Sequence, residues 1–194
     1  MQEIGIIQFV QIQRNPMKIW TEEDRIYRTD PLLRVSQLRL TQEGIIGITE
    51  QGGEIIDAHH IQHAESRNRG GNGISIGFLQ NYEKMRRRFG SHIQDGFAAE
   101  NIIVDAAVDL SLFTSASRFF IHNRVSDIRI ELKEVVPAPP CREFSIFCLQ
   151  VPQCKEEIQS ALQFLDNGMR GYYAEILSDS ENVIVQAGDR LIVA

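Results

Sequence analysis

Most apolar residues in this chain fall in short runs with the two-residue alternation of strands, separated by turn-forming residues. Ile4 to Ile12 reads IGIIQFVQI, a β-branched run that predicts a strand, and Arg14-Asn15-Pro16 ends it. Val35 to Leu40 (VSQLRL) alternates apolar and polar, as a half-buried strand does. Ile45 to Thr49, Asn101 to Val104, Arg118 to Ile121 and Ile128 to Val136 (IRIELKEVV) continue the pattern. Three short strands close the chain, at Tyr172 to Leu177, Asn182 to Val185 and Arg190 to Val193. Helical spacing occurs in two places. Phe78, Leu79, Tyr82, Met85 and Phe89 recur on one face, with Ser75 as the predicted N-cap, Arg86 to Arg88 in the last turn and Gly90 as the stop. Ile158, Ala161, Leu162 and Leu165 form the stripe of a second helix, opened by Pro152 and ended by Gly168. Many short strands, two helices and no regular strand–helix alternation predict a mainly β (α+β) barrel.

Length and composition narrow this picture. The 194 residues fit a single domain over 1–194, and with 43% hydrophobic and 24% charged residues the chain can build an ordinary core. The formal net charge of -6 leaves no generally basic surface for nucleic acid, and no apolar stretch reaches membrane-spanning length. The start, Met1-Gln2-Glu3-Ile4-Gly5, has no signal-peptide character. The odd set Cys141, Cys148 and Cys154 has neither disulfide-scaffold density nor zinc-knuckle spacing, so a reducing cytoplasm is the expected compartment.

Two segments carry candidate chemistry. Pro137-Ala138-Pro139-Pro140-Cys141-Arg142 is a stiff loop: its prolines lock φ and exclude helix, so Cys141 is displayed from a fixed point. Arg142 puts a permanent cation beside that sulfur in sequence, which favours the reactive thiolate; burial as a structural cysteine is the competing reading. The second segment, Asp57 to Gly73 (DAHHIQHAESRNRGGNG), is polar and aperiodic, and a long loop of this kind is usually functional. His59 and His63 would share a helix face, and with Asp57 or Glu65 they would make a zinc site; a solvated loop is the simpler alternative.

Taken together, this loop, Gly96-Phe97-Ala98-Ala99-Glu100-Asn101-Ile102-Ile103-Val104, the strand ending in Val136-Pro137-Ala138-Pro139-Pro140-Cys141, and the turn Ala187-Gly188-Asp189-Arg190 resemble the MOSC domain, the C-terminal module of molybdenum-cofactor sulfurases that also occurs alone. The usual signature has Gly-Glu-Asn where this chain has Ala99-Glu100-Asn101, and Pro-x-x-Pro-Cys, which Pro137, Pro140 and Cys141 keep.

The resemblance implies a mixed β-barrel of the MOSC and pyruvate-kinase barrel-domain type with a few peripheral helices. It implies Cys141 as persulfide carrier or as ligand to molybdenum. Glu100 and Asn101 become the acidic–amide pair of a pocket, and His63, Arg67 and Asp57 its loop residues. The implied cofactor is molybdopterin, whose phosphate Arg67, Arg69, Arg142 and Arg170 are placed to clamp. Three functions follow: sulfur carriage from a donor protein, reduction of N-hydroxylated substrates with electrons from a separate protein, or non-catalytic cofactor binding. The segment Phe164 to Gly171 (FLDNGMRG) looks like a feature of a smaller branch of standalone members, with no role implied.

Overall fold

The computed structural model describes residues 1–66, 73–106, 118–151, 154–176 and 183–194. In chain order the strands are β1 (Gln2–Gln13), β2 (Lys18–Trp20), β3 (Arg25–Tyr27), β4 (Leu32–Val35), β5 (Gln37–Thr41), β6 (Gly44–Ile48), β7 (Glu54–Ile56) and β8 (Ile74–Phe78). Helix α1 (Leu79–Phe89) follows, then β9 (Ile102–Ala106), β10 (Phe119–His122) and β11 (Arg129–Pro137). Helices α2 (Arg142–Leu149) and α3 (Lys155–Leu165) precede β12 (Tyr172–Ile176), β13 (Val183–Gln186) and β14 (Arg190–Val193).

Seven of the described strands close a barrel in the order β14-β10-β11-β12-β8-β9-β1, with β1 pairing back onto β14. The barrel is mixed: β8 and β9 run parallel, joined through α1, and the other neighbours are antiparallel. Strand β1 is long enough to serve three partners. Its start pairs with β14, its middle with β9 and its end with β4. Register shifts between Glu3 and Gly5 and between Ile7 and Phe9 bend it around the wall. Gly5 sits at the tightest crossing, where a Cβ would come within 2.0 Å of the Asp105 carbonyl oxygen. A four-stranded sheet, β13-β5-β6-β7, packs Leu38, Leu40, Ile45 and Val185 onto the barrel core.

Period two explains how one strand serves two cores. In β9, Ile102 and Val104 point into the barrel, while Ile103 points outward under the helices, beside Tyr82 and Met85 of α1 and Phe144 of α2. Both faces are therefore apolar from Ile102 to Val104, and the strand turns polar only at the exposed Asp105.

The structure departs from the sequence expectations at three places. VSQLRL is two strands: Val35 ends β4 against β1, Ser36 donates its amide and hydroxyl to the Ile48 carbonyl, and β5 continues in the other sheet. Ser75 is not a helix cap. Ile74, Ile76 and Phe78 alternate into the barrel, so Ser75 belongs to strand β8, and α1 starts after Phe78 with no side-chain cap. A third helix, α2, directly follows the proline loop; Phe144 and Cys148, one turn apart, bury its inner face. Pro152, the expected opener of the next helix, lies outside the described residues, and α3 spans Lys155–Leu165. No helix among the described residues is long and apolar enough to cross a membrane.

Candidate functional site

A cavity of about 650 Å³ opens where the proline loop, the segment before β9, the turn before β12 and the β2–β3 hairpin meet. Its volume falls within the range of small-molecule sites. Cys141, Glu100, Asn101 and Arg170 line its wall, and Lys18 and Arg25 come from the hairpin. Cys141 is partly exposed at the N-cap position of α2, and its carbonyl oxygen accepts the Ser145 amide and hydroxyl, each at 3.0 Å. The preceding loop is pinned by Ala138 N–H donating to the Gly171 carbonyl at 2.9 Å and by Arg170 Nη1 donating to the Pro139 carbonyl at 2.8 Å. The stiff presentation expected from the three prolines is therefore completed by tertiary contacts.

The other thiols differ. Cys148 is sealed in the apolar cluster under the helices, and burial pushes its thiol up to about 12. Cys154 is exposed, and Cys141 alone of the three lines the cavity.

The cation beside the sulfur is not its sequence neighbour. Arg142 points away and pairs with Asp24 at 2.9 Å on the exposed side of the β2–β3 hairpin, outside the cavity lining. Arg170 occupies the position expected of Arg142. It is buried, it lines the cavity, and among its neighbours Cys141 acts on it most strongly. Burial works against the Arg170 charge, but Cys141, Tyr173, Tyr27 and Glu100 together hold its pKa above the ordinary value.

Glu100 is buried against α1, where Tyr82 donates its hydroxyl to Oε2, and burial pushes the carboxyl up to about 7. Asn101 has a different surrounding. Its Nδ2 donates to the Gln11 carbonyl at 3.2 Å and to Asp57 Oδ2 at 3.1 Å, while Oδ1 accepts the Ser75 hydroxyl at 2.7 Å. Both amide hydrogens are thus engaged within the protein, so Asn101 ties β1, β8 and the Asp57 loop together in the cavity wall. Asp57 is buried and also accepts the Gln13 and His59 amides, both at 2.8 Å.

The three histidines diverge. The segment holding them is a series of turns rather than a helix, so spacing four does not align His59 with His63. His59 lines the cavity and its ring Nδ1 meets Asp57 Oδ1 at 2.9 Å. His60 is buried and accepts the Gln62 amide. His63 lies outside the cavity lining, with Nε2 3.1 Å from the Arg14 carbonyl oxygen. Arg67 and Arg69 lie outside the described residues. Among the described residues no group of three or more His, Cys, Asp or Glu side chains is placed to hold a metal ion.

The hairpin adds residues that sequence reading did not single out. Lys18 and Arg25 meet the Glu143 carboxylate at 3.7 and 3.5 Å. Burial opposes ionisation of Glu143, but its own amide, these two cations and the Cys141 thiol hold its pKa below the usual carboxylate value. Trp20, 75% exposed, stands on the cavity rim with the Arg25 guanidinium 5.9 Å from its ring centre. The available signal was a single tryptophan inside the charged stretch Trp20 to Arg25, with no spacing to connect it to Cys141 more than a hundred residues later.

No family model and no curated protein matches the chain in sequence. Solved structures do resemble it. The YuaD protein of Bacillus subtilis matches with a TM-score of 0.60 at 14% identity, over 100% of this chain and 97% of that one. A hypothetical protein matches with a TM-score of 0.56 at 14% identity, over 99% and 69%. YiiM from Escherichia coli matches with a TM-score of 0.50 at 16% identity, over 92% of this chain and 70% of that one. At these identities the likeness speaks to fold alone: the chain is a mostly β, mixed barrel with peripheral helices, of the YiiM type.

Proposed function

We propose that the cavity binds an anionic cofactor of the molybdopterin class and that Cys141 is the protein's ligand to its metal. The observation that carries this reading is a partly exposed thiol in the wall of a cofactor-sized cavity, with the buried Arg170 guanidinium in its field and Lys18 and Arg25 at the rim. The resemblance of the Ala99-Glu100-Asn101 and Pro137-to-Cys141 segments to the MOSC signature supports it. The residues fit such a group: a soft thiolate suits molybdenum, and arginine and lysine suit phosphate. When bound, the group would supply oxygen- or sulfur-transfer chemistry. The chain's own residues orient and enclose it. Arg170, Arg25 and Lys18 offset negative charge, Glu100 holds or releases a proton next to Arg170, and Asn101 with Asp57 keeps the wall in place. Arg142, engaged with Asp24 on the outer face, and His63, outside the cavity lining, have no part in this reading. A redox reaction at this site would draw electrons from a separate protein.

A second reading rests on the same exposed sulfur. Cys141 thiolate attacks the outer sulfur of a donor persulfide, forming Cys141–S–SH and releasing the donor as its thiolate; atoms and charge balance without a further oxidant. The test is native mass spectrometry and metal analysis of protein purified from a molybdenum-replete host. Bound pterin and molybdenum that fall to background in Cys141→Ser support the first reading. Cyanide-releasable sulfur on Cys141 without metal selects the second. Cys141→Ser is expected to leave stability within about 0.5 kcal/mol of wild type, because the side chain is partly exposed and close in size. Wild-type protein carrying neither group overturns both.

A further inference from the structure

The turn from Asp166 to Gly171 is more constrained than a chain reversal requires. Asn167, Gly168 and Gly171 all have positive φ, at 53°, 82° and 100°. Left-handed backbone is uncommon outside glycine, and Asn is one of the few other residues that adopt it. At Gly171 a Cβ would lie 2.5 Å from the Ile76 carbonyl oxygen and 3.1 Å from Glu100, so no larger residue fits. The turn is also held from outside. Asn81 of α1 donates to the Gly168 carbonyl at 2.9 Å, and Ala138 of the proline loop donates to that of Gly171 at 2.9 Å.

This arrangement aims one side chain. Arg170 is 9% exposed and lines the cavity. Its Nη1 donates to the Pro139 carbonyl and its Nη2 reaches the Ala98 carbonyl at 3.5 Å, while the Phe144 ring centre lies 5.7 Å from Cζ. Its Nε is buried with no hydrogen-bond partner, and among the described residues no carboxylate forms an ion pair with it. A buried guanidinium without a counter-ion is costly, and the ordinary remedy is an anion in contact with it. Glu100, a carboxyl in its field, is pushed up to about 7 by burial and so supplies little compensating charge below neutrality.

We infer that Arg170 is the seat of an oxyanion next to Cys141, so that the site selects reactants carrying a negatively charged oxygen beside the atom that meets the sulfur. This deepens the second reading above, in which the Cys141 sulfur is the reacting atom, and rests on it. It assigns a role to the FLDNGMRG segment, which the family resemblance leaves without one, and makes the turn before β12 a specificity element.

The test compares alkylation of Cys141 by iodoacetate and by neutral iodoacetamide in a Cys154→Ser background, read by mass spectrometry of the Cys141 peptide. Arg170→Gln is expected to lower the iodoacetate-to-iodoacetamide rate ratio about tenfold, the effect of losing one charge-assisted hydrogen bond. Arg170→Lys retains part of the preference. Calorimetry with orthophosphate reads the same seat without using the thiol: binding to wild type that is lost in Arg170→Gln supports the inference even if Cys141 reacts with neither reagent, an outcome that would instead sink the reactive-cysteine reading. An unchanged rate ratio, or orthophosphate binding that survives Arg170→Gln, overturns the inference and moves the anion site to Lys18 and Arg25. Should Arg170→Gln fail to fold, wild-type protein decides: orthophosphate slows iodoacetate attack on Cys141 if the seat is real and leaves it unchanged if it is not.

Discussion

The molecule has two apolar cores on opposite faces of the same barrel wall, and they are built from different residues. The inner core is almost all aliphatic: Ile4, Ile7, Val10, Ile121, Ile130 and Leu191, among others, close on one another inside the strands. The outer core, between the wall and the three helices, holds Tyr27, Tyr82, Met85, Phe144 and Cys148. Glu100 and Arg170 are buried at its margin, where Tyr82 reaches Glu100 and Phe144 lies beside Arg170. An aliphatic core leaves nothing to titrate or to bind. An aromatic and sulfur-containing core beside buried charge can tune a carboxyl and aim a guanidinium at a cavity. The first is the larger cluster of buried side chains, and the candidate chemistry borders the second.

Three measurements test that division. In the inner core, Ile121→Ala removes a fully buried side chain and is expected to cost roughly 3–4 kcal/mol in denaturant unfolding, while leaving the reactivity of Cys141 unchanged in the folded protein. A loss below about 1 kcal/mol would mean that the barrel interior is not the main source of stability.

At the margin of the outer core, the sign depends on pH. The Glu100 carboxyl has its ordinary value of 4.5 when unfolded and about 7 when folded, so the native state binds the extra proton between those values. Stability contributed by this group therefore falls as pH rises from about 4.5 to 7, and the full deficit, on the order of 3 kcal/mol, is present above 7. Glu100→Gln, which keeps an acceptor for Tyr82, is expected to be more stable than wild type at pH 8 and close to it at pH 4. Parallel stability–pH curves for the two proteins over this range would contradict the buried-carboxyl account.

The smallest effect concerns the backbone between the cores. Ala99 has φ of 75°, a conformation that favours glycine, and it stands where the MOSC signature has glycine. Ala99→Gly relieves the left-handed strain but adds unfolded-state freedom, for a net gain of roughly 0.5 kcal/mol in thermal or denaturant unfolding. A destabilised variant would show that the Ala99 methyl, packed in the outer core, outweighs the strain.

Legibility followed the range of the interaction. Strands β1, β6, β9, β11 and β14 are readable because alternation and β-branching are local properties. Strand β8 was hidden inside a predicted helix start: Ser75 satisfies a local capping rule, but pairing with β9 and β12 puts it in the wall. The β2–β3 hairpin, only three residues per strand, carries too little pattern to be seen. In the site, Cys141 and its rigid loop were legible because proline acts on its own neighbours. Asn101 and Asp57 were recognised by type and by resemblance, but their mutual hydrogen bond spans 44 positions, and spacing contains no trace of it.

By itself, then, the order of residues determined a strand-rich barrel and one thiol on a stiff loop, because φ restriction, alternation and hydrophobicity act over a few residues. Only the tertiary structure decided which cation meets that sulfur. Arg142, its neighbour in sequence, turns outward to Asp24, and Arg170, twenty-nine positions away, is delivered by a constrained turn. The reason is physical: electrostatic interaction depends on distance through space, and a helix beginning at Arg142 sends successive side chains to different faces.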